Sequence, residues 1–258
     1  MPVERRETPS IVDTSCFVGA WPFRVMPLAD PEALRDRLRA NGIGTALVSP
    51  LDAVLQRTPR ATNLEWGARL AGDDLFQFVP VANPSQAGAE EVFVDWPDAR
   101  AVRILPGPHG FTPEDAAGLV AAAGERDRTV IVQWRVIDAR MAHPDVAHRE
   151  PTVDQLQVLA SSCPRTRIVV AGARMAEITP LLAEQRDNLW FEISNVEAPN
   201  AVRRMINSGG EDRLLCGTQA PVHVIEALGA KLAAADLTME EAAAIAYRNA
   251  AAAGLLDA

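Results

Sequence analysis

The chain has 258 residues, of which 48% are hydrophobic and 23% are charged, a composition typical of a globular protein with a large core. Its formal net charge of −9 disfavours nucleic acid and anionic membranes as partners. Cys16, Cys163 and Cys216 show no disulfide or zinc-ribbon spacing, and neither a secretion signal nor a membrane-spanning run is visible. We therefore expect a cytoplasmic protein with a small-molecule partner; a homo-oligomer is one alternative.

Short β-branched runs alternate with longer stretches rich in alanine, leucine and glutamate. Eight strands are predicted, at 11–16, 45–50, 76–83, 101–106, 129–136, 167–173, 189–194 and 213–218. Helices are predicted between them, at 31–41, 63–71, 113–125, 153–161, 176–185 and 200–208. A final helix at 238–253 begins with the capping-box pattern Thr-Met-Glu-Glu.

This alternation indicates a single TIM-type (β/α)8 barrel domain over residues 1–258, because the length matches the roughly 250 residues usual for that fold. A doubly wound open sheet is the alternative. That fold usually carries a glycine-rich phosphate turn after its first strand, and residues 16–19 contain no such turn.

Several short segments carry a family resemblance. The first strand reads IVDTSCFVG and the last reads RLLCGTQAP, at 11–19 and 213–221; the others are WPFR at 21–24, AVRILP at 101–106 with His-Gly at 109–110, and RNA at 248–250. In this order and at these spacings they resemble the amidohydrolase superfamily, in particular its amidohydrolase-2 branch of small-molecule hydrolases and decarboxylases. The resemblance implies an amidohydrolase-like barrel with its active site at the C-terminal ends of the strands.

The chain departs from the family at the metal ligands. The family typically opens with Asp-x-His-x-His and closes with Gly-Thr/Ser-Asp-x-Pro, so Ser15 and Phe17 stand at histidine positions and Gln219 at the aspartate position. Gln133 and residues 171–173 lie at the remaining histidine positions. Phenylalanine cannot bind a metal, and a neutral amide poorly replaces an anionic ligand. We therefore predict no metal and no other cofactor, which does not preclude catalysis, because the family includes metal-free members.

If these residues occupy the former metal site, their side chains should converge at the barrel mouth. Gln133 and Gln219 must then find hydrogen-bond partners, because an unpaired buried amide costs about 1–3 kcal/mol. We expect the partners to be Ser15, Asp13, an arginine or water.

Polar residues at inward strand positions form the first candidate site. The two-residue period of a strand predicts that Gln133 and Arg135 face the barrel interior. The other inward polar residues are Arg103, Glu192, Ser194, Asp13 and Ser15. Buried charges require partners, so we expect Glu192 and Asp13 to pair with the arginines. Arg103 or Arg135 is predicted to bind a substrate carboxylate, because the guanidinium fork matches that group. A salt-bridged network that only fills the barrel is the structural alternative.

The loops after the strands contain the second candidate group. They hold all four histidines: His109, His143, His148 and His223. In the long polar loop 137–152, His143 is a candidate acid or base that Asp138 would orient. His109 is the other candidate. The predicted substrate contacts, besides Arg103, Arg135, Asp13 and Ser15, are Gln133, Arg140, Trp21, Gln219 and His223.

We therefore predict a metal-independent amidohydrolase-like enzyme acting on a small carboxylate-bearing metabolite. Its reaction would be hydrolysis of a lactone or amide-type bond, or a related lyase or decarboxylation step. His109 or His143 would act as acid or base, with Asp138 or Glu192 orienting it or a water molecule. One alternative is a non-catalytic relative that binds a metabolite or a partner. Another is a metalloenzyme with a relocated site built from His109, His143 and His223.

Overall fold

The computed structural model describes residues 10–138, 140, 142–143 and 149–256. His148 lies outside the described residues. Every strand pairs in parallel with its neighbours, in the orders β1-β2-β3 and β4-β5-β6-β7-β8-β9. Their bounds are β1 (Ile11–Val18), β2 (Ile43–Pro50), β3 (Phe76–Phe78), β4 (Val81–Ala82), β5 (Ala101–Ile104), β6 (Thr129–Gln133), β7 (Ile168–Ala171), β8 (Leu189–Glu192) and β9 (Leu214–Leu215).

Backbone hydrogen bonds join the two sheets into a barrel. Pro80 lies between β3 and β4, and its carbonyl accepts from the amide of Arg103 at 2.9 Å, so β3 and β4 are two segments of one strand. At the other junction the amide of Thr14 donates to the carbonyl of Cys216 at 3.0 Å, which places the end of β9 beside β1. All eight predicted strands are therefore present as a (β/α)8 barrel, and the open-sheet alternative is wrong.

The predicted helices are present, and three further ones appear. The helices are α1 (Pro31–Ala40), α2 (Arg60–Leu70), α3 (Val92–Asp95), α4 (Pro106–His109), α5 (Ala117–Glu125), α6 (Val153–Ser162), α7 (Met175–Ala183), α8 (Ala201–Met205), α9 (Glu226–Ala234), α10 (Met239–Ala243) and α11 (Asn249–Ala252). The sequence patterns did not predict α3, α4 and α9. No helix in the described part of the chain combines the length and apolarity needed to cross a membrane.

The last predicted helix corresponds to α10, a π-helical segment and α11 in succession. The Thr238 side chain accepts from the amide of Glu241 at 3.2 Å, and the Glu241 carboxylate accepts from the amide of Thr238 at 2.8 Å. These reciprocal bonds satisfy two amides that the first helical turn would leave unpaired, and they confirm the predicted capping box.

Apolar layers close both ends of the barrel interior. At the N-terminal end of the strands, Leu255 packs in a cluster with Leu47 of β2 and Ile131 of β6, and so the chain end plugs the barrel. At the mouth, Phe17 and Leu51 belong to a second buried cluster, which also contains Leu105, Val136, Trp21 and Met26. The space between these two layers is where inward side chains are polar.

Candidate functional site

A polar layer lies between the two apolar layers. Along β2 and its extension, the inward residues are Leu47, Ser49 and Leu51. Leu47 belongs to the apolar layer at the N-terminal end and Leu51 to the layer at the mouth, so Ser49 lies between the two layers. The same alternation of inward side chains along β5 places Arg103 between the two apolar layers. We call this set the polar layer; its members are Asp13, Ser15, Ser49, Arg103, Gln133, Glu192 and Gln219, all 0% exposed.

Arg103 is the cation of the polar layer. Its Nε donates to the hydroxyl of Ser49 at 2.9 Å, and its Nη1 donates to the Gln133 carbonyl oxygen. The guanidinium carbon lies 4.7 Å from the centre of the Phe17 ring, a cation–π distance. Burial lowers the pKa of Arg103 to about 10, which still leaves the group charged at neutral pH. Its Nη2 has no hydrogen-bond partner among the described residues.

The side chains of Gln133 and Gln219 lie close together beside Gly172, which follows β7. The side-chain nitrogens of both glutamines donate to the backbone carbonyl of Arg135, at 2.8 Å and 3.1 Å. Gly172 has a φ of +71°, and a Cβ there would lie 2.7 Å from the Gln133 amide nitrogen. A larger residue would therefore separate the two amides. The predicted convergence of the former metal positions is thus confirmed for Gln133 and Gln219.

The partners of the two amides are only in part those expected. Gln133 accepts from an arginine, Arg103, as predicted. The Gln219 oxygen instead accepts from the side-chain nitrogen of Asn195 at 3.1 Å. It also shares the single hydroxyl proton of Ser194 with Glu192, at oxygen–oxygen distances of 2.9 Å and 2.8 Å. Contact with Ser15 is through the backbone, where the amide of Gln219 donates to the Ser15 carbonyl at 2.6 Å. Each amide is thus held in one orientation.

Two members of the polar layer, Asp13 and Glu192, are carboxyl groups. Asp13 accepts from the amides of Ser15 and Thr218, each at 3.0 Å, and from the Thr218 hydroxyl at 2.5 Å. Burial raises the pKa of Asp13 to about 7, against the opposing effect of the Thr218 hydrogen bonds. Asp13 thus titrates near neutral pH.

Glu192 is the carboxyl nearer the converging amides. It accepts from the amide of Gly172 at 3.0 Å and from the hydroxyl of Ser194 at 2.8 Å. Burial raises the pKa of Glu192, while these hydrogen bonds and the charge of Lys231 oppose the increase. The Lys231 ammonium donates to the carbonyls of Ile193 and Ser194, at 3.1 Å for Ile193. Glu192 is therefore a fully buried carboxyl group whose protonated form is favoured by burial.

The expected pairing of Arg135 is wrong. Its guanidinium pairs with Glu150 at 2.7 Å and with Glu177, and its Nη1 also donates to the Gly172 carbonyl at 3.0 Å. These ion pairs raise the pKa of Arg135 despite its burial. Neither Asp13 nor Glu192 is its partner. The reason is that β6 ends at Gln133, so the two-residue alternation no longer applies two positions later.

The expected pairing of Arg103 is also corrected. We predicted a carboxylate partner, Glu192 or Asp13, but both side chains that accept from Arg103 are neutral. No described side chain forms a salt bridge with Arg103; its hydrogen-bond acceptors are neutral, while Glu192 and Asp13 act on its charge without direct contact and oppose the lowering of its pKa by burial.

The three described histidines do not come together. His109 Nε2 lies 3.0 Å from the carbonyl of Ala53, and burial lowers its pKa. His143 stacks on Phe23 with ring centres 4.5 Å apart. His223 lines a groove of about 750 Å³ between the loops after β1 and β9, where burial lowers its pKa. Within the described chain no three histidine, cysteine, aspartate or glutamate side chains are grouped to hold a metal. A relocated site built from these histidines is therefore wrong.

The remaining predicted residues lie around the mouth, above the polar layer. Asp138 pairs with Arg140 at 2.9 Å and with Arg174 at 2.8 Å, and these arginines hold the pKa of Asp138 well below its usual range. Asp138 is thus a poor base. Arg140 is 86% exposed. Trp21 is buried, with its ring 6.0 Å from that of Phe23.

The polar layer contains supporting residues that the sequence analysis missed. Ser49 accepts from Arg103, and Asn195 holds the Gln219 amide. Thr218 binds Asp13, and Lys231 faces Glu192 from α9. A polar residue at an inward strand position was the available signal for Ser49. Asn195 and Lys231 had none, because they reach the layer from a loop and from an unpredicted helix.

A family model described as amidohydrolase matches residues 19–253. The chain belongs to this amidohydrolase family, in its amidohydrolase-2 branch. No curated protein sequence matches the chain significantly. The identification agrees with the barrel and with the residues at the two end strands.

Solved structures share the fold. The 2,6-dihydroxybenzoate decarboxylase from Rhizobium has a TM-score of 0.71 at 15% identity, covering 95% of this chain and 98% of that chain. The 5-carboxyvanillate decarboxylase from Sphingomonas paucimobilis has a TM-score of 0.69 at 15% identity, covering 94% and 98%. A dihydroxybenzoic acid decarboxylase from a Polaromonas species, with bound manganese and the inhibitor 2-nitroresorcinol, has a TM-score of 0.70 at 14% identity, covering 95% and 96%. At such identities the likeness concerns the fold.

The side chains of this amidohydrolase do not fit a manganese ion at the family position. A divalent cation needs carboxylate, imidazole or free carbonyl ligands. Here Phe17 contributes a ring, and the side-chain oxygens of Gln133 and Gln219 are already occupied by donors. The charged guanidinium of Arg103 is bonded to Gln133 and would repel a second cation.

Proposed function

We propose that this amidohydrolase-fold chain is a lyase that removes the carboxylate group of a small flat acid without a metal at the family position. One observation carries the proposal. A buried arginine with an unpartnered Nη2, Arg103, lies in the same closed polar layer as a protonatable carboxyl group, Glu192. An anion receptor and a proton donor are what a decarboxylation requires from the protein.

The comparisons support the reaction class. Three structural neighbours are decarboxylases, named for 2,6-dihydroxybenzoate, dihydroxybenzoic acid and 5-carboxyvanillate. Each of these substrates is a small aromatic carboxylate. The neighbours' chemistry and the arginine of the polar layer therefore agree on the kind of group that is bound. Hydrolysis of a lactone or amide-type bond stays a prediction.

The proposed chemistry has one bond-breaking step. The substrate carboxylate accepts from Arg103 Nη2, and the carbon–carbon bond to that carboxylate breaks with release of carbon dioxide. The electron pair stays on the ring carbon, which takes the proton of Glu192. Water returns a proton to Glu192 after product release. Burial favours this step, because it raises the pKa of Glu192 and strengthens the attraction between guanidinium and carboxylate.

The test is a screen of hydroxybenzoates and carboxyvanillates for release of carbon dioxide. Glu192→Gln, which cannot donate the proton as an acid, should lower kcat by about 100-fold or more with little change in KM. Glu90→Gln is the matched control, because Glu90 is exposed, and should leave kcat unchanged. Turnover by Glu192→Gln equal to that of the unaltered protein would overturn the assignment of the proton donor.

Metal removal tests the other part of the proposal. Dialysis of the active protein against EDTA should leave kcat/KM within about twofold of its starting value, because no described side-chain group fits a divalent cation. Added MnCl2 should not increase the rate. An EDTA-treated protein that loses activity and regains it with manganese would show that the metal-independent mechanism is wrong.

A non-catalytic binding protein is the second candidate, favoured by the closed mouth. Phe17 and Leu51 are 0% exposed and, with Leu105 and Val136, cover the polar layer. On this alternative the layer stabilises the barrel and a carboxylate binds without reaction. A rise in melting temperature with a carboxylate that is recovered unchanged, for every acid in the screen, would favour this function over the lyase.

A further inference from the structure

We infer that the guanidinium of Arg103 has taken the place of the family's metal ion, so that the barrel centre is a receptor for a small oxyanion instead of a cation. The ligand class is a monovalent carboxylate, of which formate is the smallest representative. The inference rests on the proposed function only in taking the natural anion to be a carboxylate. Its experiment measures binding without turnover, so the two can fail separately.

The position of the guanidinium is the first argument. It donates to Gln133 and lies over the ring of Phe17 at 4.7 Å, and both residues stand where the family resemblance places metal ligands. The cationic group thus contacts two former ligand positions from β1 and β6. The positive charge that a metal ion supplies in the family is supplied at this place by the Arg103 side chain.

The unfilled donors are the second argument. Arg103 Nη2 and the Ser15 hydroxyl are both fully buried, and neither has a hydrogen-bond partner among the described residues. Ser15 also stands at a former metal-ligand position, two residues before Phe17 on the strand that packs under the guanidinium. Buried donors require acceptors. An oxyanion supplies acceptor oxygens for both groups.

The charge distribution is the third argument, because it distinguishes an anion from a water molecule. Both acceptors that Arg103 has are neutral oxygens, those of Ser49 and Gln133. The more distant Arg135, in contrast, is matched by Glu150 and Glu177. A buried guanidinium without a paired carboxylate gains more from an anion than from water. The planar fork of arginine also suits a carboxylate in particular.

Formate is the probe, because it carries a carboxylate and little else. Sodium formate should raise the melting temperature of the full chain above the value in sodium chloride at equal ionic strength. Arg103→Met should abolish the difference. Arg103→Lys should weaken formate binding at least tenfold, because an ammonium lacks the fork. Arg69→Met is the matched control: Arg69 lies over the Trp66 ring at 4.0 Å but is exposed, and its loss should change nothing.

Ser15→Ala keeps every charge and should weaken formate binding roughly threefold to tenfold, so it serves even if the Arg103 variants do not fold. Manganese provides the opposite probe. After equilibration with MnCl2 and gel filtration, the protein should retain less than about a tenth of an equivalent per chain. Three results would each overturn the inference. They are one retained manganese per chain, a formate effect that survives in Arg103→Met and Ser15→Ala, and no formate effect in the unaltered protein. The last result would mean that water fills the site.

Discussion

Asp13 couples a single buried side chain to the stability of the protein. Burial raises its pKa from 3.8 to about 7, so the folded protein holds this proton more tightly than the unfolded chain, where the carboxyl titrates near pH 4. The stabilisation is therefore fully present below about pH 4 and is lost as the pH rises through 7. Three pH units correspond to at most roughly 4 kcal/mol.

We expect the free energy of unfolding to fall between pH 4.5 and 7.5 in the unaltered protein by more than in Asp13→Asn. The asparagine stays neutral and can keep hydrogen bonds to Ser15 and Thr218, so the difference between the two proteins isolates the carboxyl group. Urea unfolding at both pH values measures it. Asp98→Asn, at an exposed position, should keep the original pH dependence. An identical pH dependence in Asp13→Asn would contradict the assignment of a raised pKa.

At the scale of elements, Arg135 joins the end of β6 to α7. Its guanidinium meets Glu177 in the first turn of α7 and Glu150 in the segment before α6, and its own side chain is 1% exposed. Arg135, for which we predicted contact with a substrate carboxylate, thus holds three segments together. Its loss would leave two carboxylates without their shared cation.

Arg135→Met should lower the free energy of unfolding by about 3–5 kcal/mol, because breaking a buried ion-pair group from one side is costly. Arg140→Met is the matched control. Arg140 is 86% exposed and also pairs with an acidic residue, so its loss should cost no more than about 0.5 kcal/mol. Chemical denaturation of both variants gives the comparison. Equal stability of the two variants would show that the Arg135 ion pairs contribute little.

At the scale of the whole molecule, the chain end closes the barrel. Leu255 is 0% exposed and packs with Val12, Leu47 and Ile131, which belong to β1, β2 and β6. The cluster thus brings together residues that are separated by more than a hundred positions in the sequence. This arrangement links the folding of the last helix to that of the barrel.

Leu255→Ala should lower the free energy of unfolding by about 2–5 kcal/mol, through lost burial and the cavity left in the plug. Because the plug contacts several strands, far-ultraviolet and near-ultraviolet circular dichroism should report the same lowered midpoint. Leu64→Ala, at a position that is 47% exposed, should have a much smaller effect. Separate transitions for helix and tertiary signals in Leu255→Ala would mean that the last helix unfolds independently.

The barrel itself was predictable from local patterns. The eight strands, the capped last helix and the inward positions of Arg103 and Gln133 follow from hydrophobic periodicity, turn residues and strand alternation, which act over a few residues. The same patterns failed where an element ends or is short. α9 was missed, and the continuation of β6 to Arg135 was assumed although pairing with β7 stops at Gln133 and Ala171.

The sequence by itself determined the fold, the absence of the family's usual ligands and most residues of the polar layer, with Ser49 the exception, because each depends on residue type and local period. Only the tertiary structure decided that Arg135 is paired with two carboxylates and that Arg103 Nη2 has no hydrogen-bond partner among the described residues. Glu150 and Glu177 reach Arg135 from different segments, whereas Arg103 meets Ser49 from a strand 54 residues away. Such pairings depend on strand register and helix packing over the whole barrel, and no local pattern encodes them.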